Sequence, residues 1–284
     1  MTTQSRKQIG SIQSIWQYAV KSMNGIKLDR ASLTTGGILG DRTYALLDKS
    51  NQKVASAKFP KKWGRLLELN ATFVNQPNQG EQFPPVHITS SKGLDILSTD
   101  KNADELLSDF VGREVKLTSS RPDSVSLERL DPLEPDETIL DIGDLMLKSK
   151  FSDYADVHLL TTASLQYLSS LSPEVNFDER RFRPNFVIET VSEITGFAEN
   201  DWVGKTVVIG DSVRLKITDP TPRCSMPTLS NGTFSKDPKV LRSIINHNML
   251  EVPLLEDKVL PCTGVYGFMV KGGVVSITDP VWIE

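Results

Sequence analysis

Short apolar segments bounded by turn residues constrain the fold of this chain more than any other feature of its sequence. Residues 213–217 alternate apolar and polar side chains, which is the period of a strand with one buried face. They follow a second apolar run, 207–209, across the turn Gly210-Asp211. The same pattern predicts strands at 11–15, 44–48, 66–69, 86–89, 267–271, 274–277 and 281–283. Hairpin turns are predicted at 48–52 and at Gly272-Gly273.

Helical periodicity is confined to three short segments. The first spans 100–111 and stops at Gly112. The second is capped by Thr162 and closed by Pro173, and the third begins at Asp237-Pro238. Because strands outweigh helices and do not alternate with them, a barrel-like or sandwich architecture with a few helices fits better than a doubly wound parallel sheet.

The overall composition is that of a globular protein. Its 284 residues are enough for two modest domains, with 38% hydrophobic and 24% charged residues. The net charge of -4 argues against a protein held mainly by nucleic-acid phosphates. No apolar run reaches the roughly 18 residues of a membrane span, and the N-terminus lacks a signal-peptide core. We therefore expect a cytoplasmic protein with no nucleic-acid and no membrane partner.

The cysteine content limits the possible cofactors. Cys224 and Cys262 could form one disulfide, but a chain of this size and composition is expected to keep both reduced. Two cysteines are too few for a ferredoxin-type iron–sulfur cluster, and the three histidines lack zinc-ligand spacing with either cysteine. Any electrons are therefore expected to come from a separate electron-donor protein.

Two separated segments combine a cationic cluster with a thiol. Arg223 directly precedes Cys224, and a neighbouring guanidinium favours the thiolate, the form of cysteine that binds metals. A soft thiolate beside anion-binding guanidinium groups suits a cofactor that carries both a metal and a phosphate. Outside such a context a lone cysteine is more often a small buried side chain. The arginines that could hold the anion are Arg180, Arg181 and Arg183.

Two N-terminal segments carry further candidates. Lys21 and Ser22 lie where a predicted strand opens into a loop, and both side chains can bind phosphate oxygens, although such a pair is usually just surface. The glycines at 36–40 do not form a dinucleotide motif, because a strand is predicted after them where that motif opens a helix. We expect these glycines to bring the backbone close to another group, with Arg42 directed at it.

The stretch 121–144 is rich in prolines and acidic residues. It is interpreted as a solvated acidic linker. The alternative is a mobile lid or a docking face for a basic partner.

Several segments occur in the order seen in MOSC-domain proteins, named for the molybdenum cofactor sulfurase C-terminal domain. The chain resembles the two-part arrangement that is also found in the mitochondrial amidoxime-reducing component family. The resemblance implies an α+β, predominantly β fold: a MOSC-type β-barrel with an N-terminal β-barrel-like region and a few short helices. The implied domains are an N-terminal MOSC β-barrel region at 1–100 and the MOSC domain at 101–284. The matching segments are 18–22, 37–42, 181–185, 223–224 and 278–281.

The resemblance also implies roles for individual residues. Cys224 matches the cysteine that ligates molybdenum, or that carries sulfur in sulfurase relatives, and Arg223 beside it would tune the thiolate and orient substrate. Thr161 and Ser164 lie in a segment similar to another cofactor-lining stretch. The positions that match contacts to the phosphate and pterin of the cofactor are Lys21, Ser22, Arg42, Arg181, Arg183 and Asn185.

The function implied by the resemblance is that of an oxidoreductase that uses the molybdenum cofactor (Mo-molybdopterin) to reduce an N-oxygenated or similar small-molecule substrate. Two alternatives stay open: a sulfur carrier with a persulfide on Cys224, and a non-catalytic cofactor-binding or storage protein. The family is also associated with pyridoxal phosphate, but we expect no fused pyridoxal-phosphate desulfurase domain and no fused ferredoxin domain. Residues 221–224 read Thr-Pro-Arg-Cys where the amidoxime-reducing enzymes carry Cys-Ser-Arg-Cys, so substrate preference is not transferred.

Overall fold

The computed structural model describes residues 6–131, 138–143, 146–147 and 150–284. The strands are β1 (Lys7–Gln17), β2 (Ile26–Leu28), β3 (Arg30–Thr34), β4 (Gly37–Ile38), β5 (Ala45–Asp48), β6 (Leu69–Phe73), β7 (Val86–Ser90), β8 (Asp95–Leu97), β9 (Val115–Thr118), β10 (Glu128–Leu130), β11 (Ile139–Asp141), β12 (Val157–Thr161), β13 (Phe186–Thr190), β14 (Thr206–Ile209), β15 (Val213–Pro222), β16 (Met249–Val252), β17 (Lys258–Lys271), β18 (Gly273–Ser276) and β19 (Pro280–Ile283). The α-helices are α1 (Pro60–Trp63), α2 (Ala103–Val111), α3 (Thr162–Leu171), α4 (Glu179–Phe182) and α5 (Lys239–His247).

A closed barrel of seven strands forms the centre of the molecule. Around the ring the order is β12, β13, β1, β19, β14, β15 and β17, and β17 pairs again with β12. Neighbours are antiparallel except β12 and β13, which run parallel and are joined through α3 and α4. Closure leaves no unpaired edge in the ring. The expected predominantly β fold with a barrel and a few short helices is confirmed.

Alternating apolar residues fill the barrel. In β15 the first, third and fifth side chains are buried in its interior, while the two between them are partly or fully exposed. The buried three are Val213, Leu215 and Ile217. This is the alternation that the sequence displays, and it places the end of β15 at one mouth of the barrel.

A second apolar core lies beside the barrel. The sheet of β6, β7 and β8 and the helix α2 enclose it, and the loop that follows β1 packs into it. Helix α2 contributes Leu107 and Val111 and ends at Gly112, whose φ of 73° is the left-handed conformation that glycine adopts readily. The stop predicted at this glycine is confirmed. The predicted division of the chain at residue 100 stays a prediction.

The predicted hairpin around Gly272-Gly273 is wrong. Strand β17 pairs with β12, β15 and β16, whereas β18 pairs with β3. At Gly272 a Cβ atom would lie 2.5 Å from the carbonyl oxygen of Leu33. The two glycines therefore let the chain pass close to the β3 backbone and change sheets, which a turn signal alone does not distinguish from a hairpin.

Two other local predictions need correction. Most of the predicted strand 66–69 is a 3₁₀ turn, Gly64–Glu68, and β6 starts at Leu69, because the apolar run reflects burial of a turn rather than of a strand. Helix α3 is capped by Thr161 rather than Thr162, and the Thr161 hydroxyl accepts the backbone N–H of Ser164 at 3.1 Å.

The acidic stretch 121–144 lies partly outside the described residues. Within the described part, β10 and β11 pair with each other, and Glu128 binds the ammonium groups of Lys53 and Lys62 at 3.3 and 2.7 Å. Part of the predicted solvated loop is therefore an ion-paired hairpin. No helix in the described residues is long and apolar enough to cross a membrane.

Candidate functional site

A cleft opens where one mouth of the barrel meets the second core. Its empty volume, which is continuous with solvent, is about 800 Å³. Eight of the ten residues predicted for the site line this cleft, although they come from segments up to about two hundred residues apart in the chain. The eight are Lys21, Ser22, Arg42, Arg181, Arg183, Asn185, Arg223 and Cys224.

Three of these residues have a left-handed backbone. Ser22, Arg42 and Arg183 have φ values of 65°, 52° and 53°. In a residue other than glycine this conformation costs about 1–3 kcal/mol, and it persists only where the surrounding structure enforces it. At the first two positions, backbone hydrogen bonds hold the loops: the N–H of Arg42 donates to the carbonyl oxygen of Tyr18, and the N–H of Lys21, which precedes Ser22, donates to that of Tyr44. Such conformations cluster at ligand-binding sites, where they direct a side chain that regular structure would turn elsewhere.

Cys224 follows directly after β15 and lines the cleft. It is 8% exposed, and its sulfur accepts the backbone N–H of Met226 at 3.5 Å. Cys262 is fully buried in a small apolar cluster, and burial raises the pKa of its thiol to about 12. Cys224 is therefore the thiol that a ligand in the cleft can reach, and its predicted role as a metal ligand stays a prediction.

Arg223 does not direct its guanidinium at the neighbouring sulfur as a hydrogen-bond donor. It donates to the carbonyl oxygens of Thr263 and Phe182 and to Nε2 of His158, which lies 2.6 Å away. Burial lowers the pKa of Arg223. Arg223 therefore ties β17, α4 and β12 together beneath the cleft.

His158 is the neutral partner of Arg223. Because its Nε2 accepts a hydrogen bond from Arg223, the ring proton belongs on Nδ1, which lies 3.5 Å from the carbonyl oxygen of Arg183. Burial and the charge of Arg223 hold the pKa of His158 well below its usual range. The ring has room only because residue 264 is glycine: a Cβ there would lie 2.3 Å from Nε2.

Two arginines stack on one tyrosine ring at the N-terminal side of the cleft. The guanidinium carbons of Arg42 and Arg183 lie 4.7 and 4.3 Å from the ring centre of Tyr18. The Asp41 carboxylate neutralises Arg42. In Arg183, Nη2 is buried without a hydrogen-bond partner in the described residues, and burial lowers the pKa of the guanidinium to about 10. A buried guanidinium nitrogen without a partner has the charge and the free donor that an anion requires.

One carboxylate connects two lysines on the opposite wall. Asp153 binds the ammonium of Lys21 through Oδ1 at 2.5 Å and that of Lys58 through Oδ2 at 2.8 Å. Burial raises the pKa of Asp153, but the two ammonium groups outweigh it and hold the pKa far below its usual range. Lys21 also donates to the carbonyl of Phe151, and burial lowers its pKa to about 8.

Arg181, predicted to bind cofactor, lines the cleft but is occupied by the protein itself. Its guanidinium donates to the carbonyl oxygens of Asn176, Pro227 and Ser235, and it stacks on Phe234 at 4.1 Å. These bonds fix the loop that follows Cys224. The structure gives Arg181 a positioning role for that loop.

Asn185 and Ser22 also form hydrogen bonds within the fold. The Asn185 side chain accepts from the N–H of His158 at 3.1 Å and from Arg42 at 3.4 Å, and the Ser22 hydroxyl accepts from the N–H of Ala57 at 3.1 Å. Asn185 thereby orients Arg42 at the cleft wall. The predicted contacts of both residues with a cofactor stay predictions.

The structure places Thr161 and Ser164 outside the cleft lining, contrary to the expectation for these two residues. Their hydroxyls both donate to Oε2 of Glu199 at 2.6 Å, and all three residues are fully buried. Thr161 also caps α3. The segment that resembles a cofactor-lining stretch is therefore the start of a helix at the barrel wall.

Sequence reasoning did not identify several residues of the site. Lys58, Asp153 and Tyr266 were not singled out, and His158 was considered only as one of three histidines without zinc-ligand spacing. Lys58 directly follows a buried stretch, 54–57, and no sequence motif surrounds either Lys58 or Asp153. In the sequence, only the run of small residues before Lys58 could have indicated that this loop has a constrained conformation.

The charge balance of the cleft indicates its ligand. Six of the described lining residues are basic and one, Asp153, is acidic. The hydroxyl of Thr221, which also lines the cleft, is buried without a partner in the described residues, as is Nη2 of Arg183. Buried polar groups are normally paired, so these groups fit an anionic, oxygen-rich ligand that extends to the sulfur of Cys224.

Two domain families match this chain and together span most of it. The MOSC domain matches residues 147–282, and the MOSC N-terminal beta barrel domain matches residues 9–114. The chain is a MOSC-domain protein. The family resemblance inferred from the motifs is thereby confirmed.

Curated relatives resemble the chain over nearly its whole length. Human mitochondrial amidoxime reducing component 2 is 25% identical over 298 residues, which span 97% of this chain and 84% of that protein. Human mitochondrial amidoxime-reducing component 1 is 26% identical over 298 residues, spanning 98% and 84%. A molybdenum cofactor sulfurase of Oryza sativa subsp. japonica is 25% identical over 237 residues, which span 73% of this chain but 27% of the sulfurase.

Proposed function

We propose that this MOSC-domain protein binds the molybdenum cofactor in the cationic cleft and reduces small N-oxygenated compounds, with Cys224 as a ligand of the metal. The observation that carries the proposal is one cleft that joins a reachable thiol to a surplus of basic side chains. The similarity to amidoxime reducing components supports the reaction class. Electrons would come from a separate donor protein.

The residues present suit this cofactor. Its anionic phosphate would be held by Arg183, whose Nη2 lacks a partner in the described residues, together with Arg42 and Lys21 on the same cleft. Cys224 offers the soft sulfur ligand that molybdenum prefers. When bound, the cofactor would supply a metal that changes oxidation state and accepts oxygen.

The chain itself supplies position and charge. Asn185 orients Arg42, Arg181 fixes the loop after Cys224, and Arg223 with neutral His158 supports the floor of the cleft. Because His158 accepts from Arg223 through Nε2, it is not available there as a proton donor to substrate. The preorganised cations cost no rearrangement when the anionic ligand binds.

The test is to produce the protein in a host that makes the cofactor and to measure molybdenum per chain and turnover of hydroxylamine with a reduced dye. We expect stoichiometric molybdenum and turnover in the natural protein, and loss of turnover in Cys224→Ser. Cys262→Ser is the matched control, because that thiol lies outside the cleft. Normal turnover by Cys224→Ser would contradict the proposal, and bound cofactor without any turnover would identify a storage protein.

A sulfur carrier is the second candidate, favoured by the reachable thiol of Cys224 and by the similarity to a molybdenum cofactor sulfurase. In that case mass spectrometry would find a persulfide on Cys224 after metal-free protein is incubated with a sulfane-sulfur donor such as a small-molecule persulfide, whose S–S bond breaks and whose thiolate leaves as the outer sulfur passes to Cys224. Absence of the persulfide in protein that retains its free thiol would exclude this function.

A further inference from the structure

The cation that acts on a ligand beside Cys224 is not the one that precedes it in the chain. The guanidinium of Arg223 is committed to Thr263, Phe182 and His158. Arg181 is committed in the same way to three carbonyl oxygens. Neither arginine can turn toward a substrate without leaving buried carbonyl groups unpaired.

Lys58 is better placed. It lines the cleft together with Cys224 and Tyr266, and its charge interacts with both of them as well as with Asp153. Its side chain is 14% exposed, and its ammonium lies 2.8 Å from Oδ2 of Asp153, another residue of the cleft lining. The N–H of Leu130 donates to the Lys58 carbonyl at 3.0 Å, which fixes this residue to β10.

The ion pairs on this wall do not neutralise all of its positive charge. Asp153 is one carboxylate divided between two ammonium groups, Lys21 through Oδ1 and Lys58 through Oδ2. Lys21 has the Phe151 carbonyl as a second acceptor, whereas Asp153 is the acceptor recorded for Lys58 in the described residues. An ammonium has three donors, so Lys58 can bind Asp153 and still donate into the cleft.

We propose that Lys58 is a substrate-binding residue, which donates to the negatively charged oxygen of an N-oxygenated compound placed beside Cys224. This inference rests on the proposed function and deepens it by naming the substrate class. Compounds whose N–O oxygen carries negative charge, such as N-oxides, are favoured over cationic N-hydroxylated compounds. Asp153 holds the ammonium in position, and the surplus positive charge repels cations.

The experiment compares Lys58→Met, Lys58→Arg and the control Lys62→Met in cofactor-loaded protein. Lys62 is a neighbouring lysine that pairs with Glu128 and does not line the cleft. Three quantities are measured for each protein: molybdenum per chain, the Kd of pyridine N-oxide by ligand-observed NMR, and its kcat and KM. We expect Lys58→Met to raise Kd and KM roughly tenfold, the loss of one hydrogen bond from a charged donor, while molybdenum content and kcat change little.

We expect Lys58→Arg to retain most of the affinity for pyridine N-oxide. We expect Lys62→Met to have normal values of all three quantities. Unchanged Kd and KM in Lys58→Met would overturn the inference, and so would a loss of molybdenum in that variant, which would make Lys58 a cofactor anchor. If the natural protein binds pyridine N-oxide through Lys58 but never reduces it, the proposed function fails while the binding role of Lys58 stands.

Discussion

Arg183 has a cost in folding stability that a bound anion would relieve. It stacks on Tyr18 near the like charge of Arg42, and its Nη2 is buried without a partner in the described residues. Such a group costs free energy of folding until a ligand satisfies it. Anion-binding sites commonly have this energetic cost, because their cationic side chains are held in the binding position before the anion binds.

Replacing this arginine separates the two effects. We expect Arg183→Gln to raise the stability of cofactor-free protein by about 1 kcal/mol, or roughly 2–4 °C in Tm, and to lower cofactor retention. Thermal melting of cofactor-free protein and molybdenum content after purification are the measurements. The matched control is Arg180→Gln, since Arg180 pairs with Asp178 outside the cleft lining. A lower Tm together with normal cofactor retention would contradict this prediction.

Glu199 is a second residue whose charge state affects the fold. It is fully buried, its Oε1 lacks a partner in the described residues, and burial raises its pKa above the usual 4.5. Because the folded pKa exceeds the unfolded one, the unfolded chain releases this proton first as the pH rises. The stability that the protonated carboxyl contributes is therefore present below pH 4.5 and is lost as the pH rises through the folded pKa.

The corresponding variant is Glu199→Gln, whose amide keeps an oxygen that can accept from the hydroxyls of Thr161 and Ser164 but does not ionise. We expect its free energy of unfolding, relative to the natural protein, to increase between pH 5 and pH 8. Urea denaturation at several pH values measures this difference. A difference that stays constant over the range would show that Glu199 does not titrate on unfolding.

Among the elements, β17 connects most of the site. Its length, Lys258–Lys271, lets it pair with β12, β15 and β16, and its carbonyl at Thr263 holds Arg223. Gly264 lies at the crossing with β12, with φ of 80° and no space for a Cβ atom. Glycine at this position lets β12 and β17 pair while the ring of His158 packs against the same backbone.

Two glycine variants test this packing. Gly264→Ala introduces both left-handed strain and a clash with His158, whereas Gly232→Ala has a similar φ of 82° and nothing within 4 Å. We expect a loss of about 1–2 kcal/mol for Gly232→Ala and of about 3 kcal/mol or more for Gly264→Ala. Chemical denaturation measures both. Equal losses would mean that backbone strain alone, and not the contact with His158, requires glycine at 264.

At the scale of the whole molecule, the barrel is closed by the two ends of the described chain. Strand β19 lies between β1 and β14, with Lys7 opposite Ile283 and Ile209 opposite Val281. The residues that line the cleft belong to segments on both sides of β19 in the barrel. The site therefore depends on a barrel whose first and last strands meet.

Deleting residues 280–284 removes β19 and opens the ring between β1 and β14. We expect the loss of a cooperative thermal transition, because two barrel strands lose their partner and the fully buried Val281 is removed from the core. Glu284→Gln is the control. It weakens the ion pairs with Arg6 and Arg214, and we expect it to lower the free energy of unfolding by less than about 1 kcal/mol. A cooperative transition near the natural Tm in the shortened chain would contradict the prediction.

Local periodicity predicted much of the fold. The alternation at 213–217 and the Gly112 stop correspond to observed elements. Strand β1 is longer than its predicted core of 11–15, since register shifts on both of its edges obscure the alternation. The hairpin at Gly272-Gly273 failed because local sequence specifies a bend but not the strand with which the next segment pairs.

The sequence by itself determined the class of fold, the order of the motifs and the set of cationic and thiol residues, because residue type and spacing carry that information directly. Tertiary structure decided which side chains can act on a ligand. Arg223 and Arg181 line the cleft but are engaged by the fold, Thr161 and Ser164 lie outside it, and Lys58 and Asp153 form part of its wall. The reason is physical. A buried polar group bonds to whatever the packing of distant segments places beside it, and neighbours in sequence do not reveal those partners.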